Sequence, residues 1–361
     1  MADFTTNPGQ AITSATEYLI GKTVDVILTY SPATLFFLGN QKPWKGVALR
    51  IPVKYQANSQ GVSFDGLDKF STTQSVNFVN MSFNPTGREM PVVIPQMEVD
   101  VSESNNRIDI VARQLASDAQ DMASDIATRF YTLQSGKHFL SILDGVDDGT
   151  NTATYGGLSR TTYSGLQGSY TASIGNLTLA NMATSFNEAT FGPESPNLIL
   201  CPAAVWNYYE ALLTPTLSNQ VSNNTLLGYS KFTGAAANGL PNIAAPGTNL
   251  KGAQGFNAIF YRGVPVIADA VAPSGNLFML NTNSWAFYGL ESKDERAKPV
   301  KFNTDSIEHG VYNVPAVNGF SWLDFQRPLD QYGKVGHIIL MGDLICRNPR
   351  LNARMLGITG S

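Results

Sequence analysis

The chain has 361 residues, of which 43% are hydrophobic and only 14% charged, with a formal net charge of −4 and a pI near 5.4. The length excludes a mini-domain and allows one large or two medium cores. The missing charge, well below the roughly 25% of an ordinary soluble protein, is replaced by Ser, Thr and Asn; it points to a surface covered by other subunits or built from many turns, and the absence of Lys/Arg clusters argues against a strong nucleic-acid binder.

Residues 1–40 show no sustained period and read as an arm. Residues 47–55 (VALRIPVKY) and 76–83 (VNFVNMSF) alternate apolar and polar, the second with one break in phase, and predict two strands of a long hairpin around a Gly- and Ser-containing tip. A two-stranded hairpin is marginally stable alone, so it requires a surface to lie on. After Pro91 and Pro95, apolar residues recur at Ile108, Val111, Leu115, Ala119, Met122, Ile126, Phe130 and Leu133, with Asp109, Asp118, Asp121 and Asp125 mainly between them. That period predicts an amphipathic helix about 40 Å long, ending near Gly136. Residues 177–192 predict a second helix, NLILCP a short buried strand, and AAVWNYYEALL a third helix, together part of an α/β layer. Residues 214–255 form a weakly patterned Ser/Asn/Gly/Ala insert. From residue 256 the pattern is β, and HIILMGDLICRNP predicts a strand of a sheet covered on both faces. No internal repeat is evident.

The run LDGVDDGTNTATYGGLSRTTYSG, residues 143–165, is the most suggestive for chemistry: a metal loop, a catalytic turn or a connector. Counted from Asp144 as a calcium loop, Gly149 meets the sixth position, but Val146 stands at the third and Tyr155 where a bidentate Glu is required. Tight turns at Asp147–Asp148–Gly149 and at Gly156–Gly157 are the preferred expectation, with Arg160 in a salt bridge inside the subunit or across an interface. No dinucleotide, phosphate-loop, zinc-protease, C-x-x-C or nucleophile-elbow motif occurs. His138, His309 and His337 lack ligand partners at metal spacing and read as structural or exposed. Trp44, Trp206, Trp285 and Trp322 read as core or subunit-contact residues. Cys201 and Cys346 sit in apolar runs and read as buried thiols rather than a disulfide. The N-terminus has no basic, apolar leader, so synthesis in the cytoplasm is expected.

The order of segments resembles the major capsid proteins of tailed bacteriophages, the Hong Kong 97-type fold. The resemblance is carried by VALRIPVKYQANSQGVSFDGLDKFSTTQSVNFVNMSF, similar to that family's extended loop, and by RIDIVARQLASDAQDMASDIATRFYTLQ, similar to its spine helix. NLILCPAAVWNYYEALL, FYRGVPVIADAVAPSGNLFMLNTNSW and HIILMGDLICRNPRLNARMLGI are similar to its axial segments. It implies an α+β chain with an N-terminal arm (1–40), an extended β-hairpin loop (41–95) and a peripheral domain (96–175 and 300–334) containing the spine helix (105–135). An axial α/β domain (176–299 and 335–361) would carry the insert 214–255. The implied function is a shell protein, not an enzyme, forming hexamers and pentamers of an icosahedral virion capsid in a bacterial host. It would enclose DNA without sequence-specific binding, with no cofactor, metal or membrane. The implied partners are other copies of itself, a separate scaffolding protein (since only about forty residues precede the hairpin), a portal, and in some relatives a decoration protein. Lys54 and Lys69 lie on the hairpin, but no matching Asn and Glu motif accompanies them, so covalent cross-linking is not expected. Phe64, Leu67 and Phe70, apolar side chains on a polar tip, are the expected anchors on a neighbour. An encapsulin-type nanocompartment is the alternative within this fold, and a β-rich hydrolase the alternative outside it.

Overall fold

The computed structural model describes residues 31–70, 72–98, 100, 110–218, 229–230, 258–293, 297–299, 319–328 and 331–360. His309, residues 105–109 of the expected spine helix, residues 1–30 of the expected arm and most of the 214–255 insert lie outside them.

Two sheets organise the chain. In the first, the fourteen-residue strand Gly333–Cys346 pairs antiparallel along ten positions with Thr86–Pro95, from Gly333↔Pro95 to Gly342↔Thr86. Its other edge pairs with Phe320–Gln326 and Trp285–Gly289; Gln41–Pro43 and Ala297–Pro299 complete the six strands. The second sheet has seven strands in the order Tyr229–Ser230, Ala258–Tyr261, Val264–Ala268, Leu198–Cys201, Asn276–Leu280, Ala353–Leu356 and Ser169–Thr171. The chain passes between the sheets three times, first from Thr86–Pro95 to Ser169–Thr171 by way of the helix Ile110–Phe130, then through short 3-10 turns at Thr282–Ser284 and at Pro349–Leu351.

The seven-stranded sheet is covered on both faces. Leu198, Leu200, Ile267, Phe278 and Leu280 point into one core, while the alternate residues Ile199, Cys201, Val266, Leu277 and Met279 point into a second. That alternation within continuous apolar runs is why these strands lack a polar face in the sequence. Helices at Leu179–Glu188 and Ala203–Ser218 cover the second core; the latter runs five residues into the segment expected as loop.

The first core holds the longest described helix, Ile110–Phe130, about 31 Å at 1.5 Å per residue. Met122, Ile126 and Phe130 face inward as their spacing predicts. Leu133 does not: the helix stops at Phe130, and Leu133 is exposed in the turn that follows. The stop is tertiary in origin, since Asp144 accepts from the Gln134 amide and Tyr131 donates to the buried Asp269. Gly136, expected as the cap, instead turns the following loop at φ +61°. Arg88 grips Asp125 of this helix with two hydrogen bonds, 2.6 and 3.0 Å, fastening it to the six-stranded sheet.

Two sequence-based assignments need correction. Residues 32–39, placed in a polar arm, form the helix Pro32–Gly39, whose Ala33, Phe36, Phe37 and Leu38 are all buried. Ser31 accepts from the Thr34 amide as its cap and donates to Asp269. Residues 86–95, placed in the hairpin, are the ten-residue strand of the six-stranded sheet. The expected cut between 334 and 335 falls inside the strand Gly333–Cys346.

Candidate assembly surface

The hairpin forms as the alternation predicts: Leu49–Lys54 pairs antiparallel with Phe78–Phe83, from Leu49↔Phe83 to Lys54↔Phe78. Met81 and Phe83 are buried and Leu49, Ile51 and Val53 pack partly against the first core, so one face of the arm's base is part of the subunit's interior. The break in phase has a structural meaning. Val79, Met81 and Phe83 lie on the core side, while Val76 and Phe78, 66% and 65% exposed, lie on the other.

Between the strands, residues 55–77 form the tip. Phe64, Leu67 and Phe70 are 64%, 101% and 68% exposed, and Val62 beside them is 66% exposed. The Phe64 and Phe70 rings meet edge to face at 5.0 Å, while Leu67 rides a turn in which Asp68 donates its amide to the Asp65 carbonyl. The structure thus brings two of the three expected anchors into contact and projects the third into solvent. Val62, Val76 and Phe78 are further exposed apolar residues of the same arm that were missed; the phase break was the available signal for the last two. Together the six residues expose roughly 800 Å² along the arm.

The 143–165 segment is the socket of this arm. Thr154–Tyr155 and Leu158–Ser159 form a small hairpin joined by Gly156 and Gly157, at φ +57° and +76°, the left-handed pair a two-residue turn demands. The Gly156 carbonyl accepts from the Ser82 amide at 2.9 Å, and a Cβ at Gly156 would stand 2.7 Å from the Met81 Cβ. Tyr155 packs edge to face on Phe83, and its hydroxyl accepts from the Cys346 amide and donates to the Cys346 carbonyl. Tyr163 meets Tyr55 at 5.2 Å further along the arm.

The carboxylates expected at a metal loop are consumed by the backbone. Asp147, fully buried, accepts from the amides of Gly149, Asn151 and Thr152 and from the Asn151 side chain, which forms the expected first turn. Asp144 accepts from Ser141 in a capping box and from Gln134. Among the described residues Arg160 makes no salt bridge within the subunit. Its guanidinium donates to the carbonyls of Asp144 and Asp147 and lies 5.1 Å from the Tyr155 ring centroid. Burial draws its pKa below the ordinary value, against the opposing pull of Asp147 and Tyr155. Cys201 and Cys346 are free, buried thiols, as expected. Trp44, Trp285 and Trp322 are core residues and Trp206 packs partly on the second core. His138 lies 3.4 Å from Arg129, and His337 pairs with Glu89 at 2.7 Å on an exposed sheet face.

No family model and no curated protein sequence matches the chain. Solved structures do. The capsid asymmetric unit of cyanophage A-1(L) superposes at TM-score 0.65 with 15% identity, covering 95% of this chain and 97% of that one. The holo-SrpI encapsulin complex from Synechococcus elongatus PCC 7942 follows at 0.57 and 12%, covering 99% and 96%. The capsid of an empty GTA particle gives 0.54 and 9%, covering 98% and 99%. This is a shell-protein fold, mixed α+β, matched over nearly the whole length of chain and neighbour alike. It is the Hong Kong 97-type fold of tailed-phage capsid proteins, as the order of segments implied.

Proposed function

We propose that this chain is the major capsid protein of a tailed phage, assembling through hexamers and pentamers into an icosahedral shell around the DNA genome. One observation carries the reading: a chain whose fold matches a capsid structure over 95% of its length holds out an anchored arm whose apolar tip no described residue covers. In this reading Ile110–Phe130 is the spine helix, and with the six-stranded sheet it forms the peripheral part. The seven-stranded sheet with its two helices is the axial part. Phe64, Leu67 and Phe70 anchor on a neighbouring subunit. A net charge of −4 suits a wall that contains DNA without gripping it. The role is structural and requires no catalytic residue or cofactor. A separate scaffolding protein and a portal act during assembly, a decoration protein is a further partner, and the mature location is the virion.

Expression with and without a co-expressed scaffolding protein, followed by electron microscopy, tests it. Closed shells are expected; a stable 39.0 kDa monomer under every condition would overturn it. The encapsulin likeness supports a second reading, a nanocompartment, which predicts a cargo protein rather than DNA inside particles purified from the native source.

A further inference from the structure

Charge is unevenly spread along the chain. Residues 26–64 carry Lys42, Lys45, Arg50 and Lys54, residues 344–361 carry Arg347, Arg350 and Arg354, and neither stretch contains an Asp or a Glu. The fold brings the two stretches together where the sheets meet. Gln41–Pro43 pairs with Trp285–Gly289, which pairs in turn with the end of Gly333–Cys346, and the Arg347 amide continues that ladder to the Ser284 carbonyl at 2.7 Å. Lys42 and Arg347 therefore stand on either side of one strand, and burial, followed by the Arg347 charge, draws the Lys42 pKa below its ordinary value. Three residues on, within the Pro349–Leu351 turn, the exposed Arg350 guanidinium lies 4.2 Å from the centroid of the exposed Phe191 ring. Among the described residues Lys42, Arg347 and Arg350 form no ion pair. Glu194, joined to Phe191 by backbone hydrogen bonds of 2.9 and 3.2 Å, is their acidic neighbour.

We infer that this strip, Lys42, Arg347 and Arg350 beside Phe191, faces the shell's interior and binds backbone phosphates of the enclosed duplex DNA without reading its sequence. The inference rests on the shell reading and assigns the surface of the subunit that meets the genome. Two features favour phosphate over the carboxylates of a second copy. The first is supply: Asp125 is held by Arg88 and Arg129, Glu89 by His337, Asp100 by Gln96 and Tyr332, and Asp147 by backbone amides. Duplex DNA, by contrast, offers a free negative charge about every 1.7 Å of its axis. The second is shape: a guanidinium held against an aromatic ring with no carboxylate on it keeps its planar fork open for two phosphate oxygens. Three such contacts make a weak, salt-sensitive grip, which a chain of net charge −4 can carry.

Fluorescence anisotropy of a short labelled duplex with the unassembled subunit reads the strip directly. With three phosphates neutralised, affinity should fall about fortyfold between about 50 and 200 mM salt and be equal for unrelated sequences; the variant Lys42→Ala/Arg347→Ala/Arg350→Ala should lose most of both affinity and salt dependence. Binding that is absent, or unchanged in the variant, overturns the inference, and closed shells formed by the same protein leave the shell reading standing. The face is located by a small amine-acylating reagent on wild-type particles: Lys42 should be modified in empty particles and protected in DNA-filled ones. Equal modification in both overturns the interior placement. Protection in both, against a reactive free subunit, assigns the strip to a second copy, with Asp118 and Asp121 on the long helix as the acids to answer it, and overturns the inference too. This second measurement needs no variant, so it decides even where the triple variant fails to fold. A wild-type chain that never closes into particles overturns the shell reading and the interior placement with it, while the anisotropy still decides whether the strip takes phosphate.

Discussion

Replacing Phe64, Leu67 and Phe70 together with Ser separates folding from assembly. At their observed exposures the three side chains present roughly 400 Å² of mostly apolar surface, worth about 10 kcal/mol at ~25 cal/mol per Å² if wholly buried on a neighbour. Only the surplus over the cost of association appears as affinity. A truncated anchor at the centre of an interface typically costs about 2 kcal/mol or more, so the triple variant should weaken each contact by at least about 4 kcal/mol, on the order of a thousandfold. The subunit should scarcely respond. Among the described residues the only ring contact of these anchors is between Phe64 and Phe70, and exposed substitutions of this kind stay within about 0.5 kcal/mol. Sedimentation velocity across a concentration series, with thermal melting of the free subunit alongside, measures both quantities. Unchanged melting and lost or steeply concentration-dependent assembly is the expected pair. Particles at wild-type yield and concentration would refute the anchoring role; a markedly lower melting temperature would show that the tip packs within its own subunit.

Three further changes probe the socket and the cores. Gly156→Ala combines a φ of +57° with a 2.7 Å approach to the Met81 Cβ and should cost about 2–4 kcal/mol, whereas Gly157→Ala, at φ +76° with open space around it, should cost only about 1 kcal/mol; urea midpoints of the pair test this, and equal costs would remove the packing term. Arg160→Met leaves two buried carbonyls and the network around Asp147 without their donor and should lower stability by about 3 kcal/mol by denaturant titration; a change below about 1 kcal/mol would show that the guanidinium is dispensable. Burial raises the Asp343 pKa well above its ordinary 3.8, although the amides of Leu140 and Leu344 pull the other way. Above that value the unfolded chain has lost a proton that the folded chain keeps, so this group's contribution to stability falls as pH rises through the window between the two values. Asp343→Asn, which resembles the neutral acid, should flatten the part of the profile that lies above the ordinary carboxylate value of 3.8, and an unchanged slope would sink the assignment.

What could be read from sequence was whatever repeats locally. The arm strands alternate, and Met122, Ile126 and Phe130 recur every four residues, because each element shows one face to a core. Thr86–Pro95 was hidden by Pro91 and Pro95, which read as punctuation. Among the described residues this strand pairs only with Gly333–Cys346, and on an edge a proline facing away from the partner breaks no ladder bond. Pro32–Gly39 was hidden for the opposite reason: an eight-residue helix whose described side chains are all buried shows no polar face to mark its period. Of the candidate site, Phe64, Leu67 and Phe70 could be read as apolar residues in a polar run, whereas the cationic strip could not be read at all. Its members come from segments about three hundred residues apart, and only the register of Gln41–Pro43 and Gly333–Cys346 against Trp285–Gly289 brings Lys42 and Arg347 within reach of each other.

The two sheets divide the physical work of the subunit. The seven-stranded sheet is saturated on both faces, so its stability comes from within the chain, while the arm leaves apolar surface that no described residue covers. Such a surface favours collapse onto the chain that carries it unless something holds it away. The socket supplies that restraint by adding directed polar contacts to the buried apolar base of the arm. Arg160, Asp147 and Asp144 fix the small hairpin through hydrogen bonds of defined direction, and its Gly156 carbonyl and Tyr155 ring fix the base of the arm. An apolar core at this point would tolerate many arm angles of similar energy; a buried network whose groups lose their partners on tilting tolerates few. The same restraint makes the low charge content intelligible, since a surface held in place for a neighbour is dehydrated on assembly and gains nothing from solvating side chains.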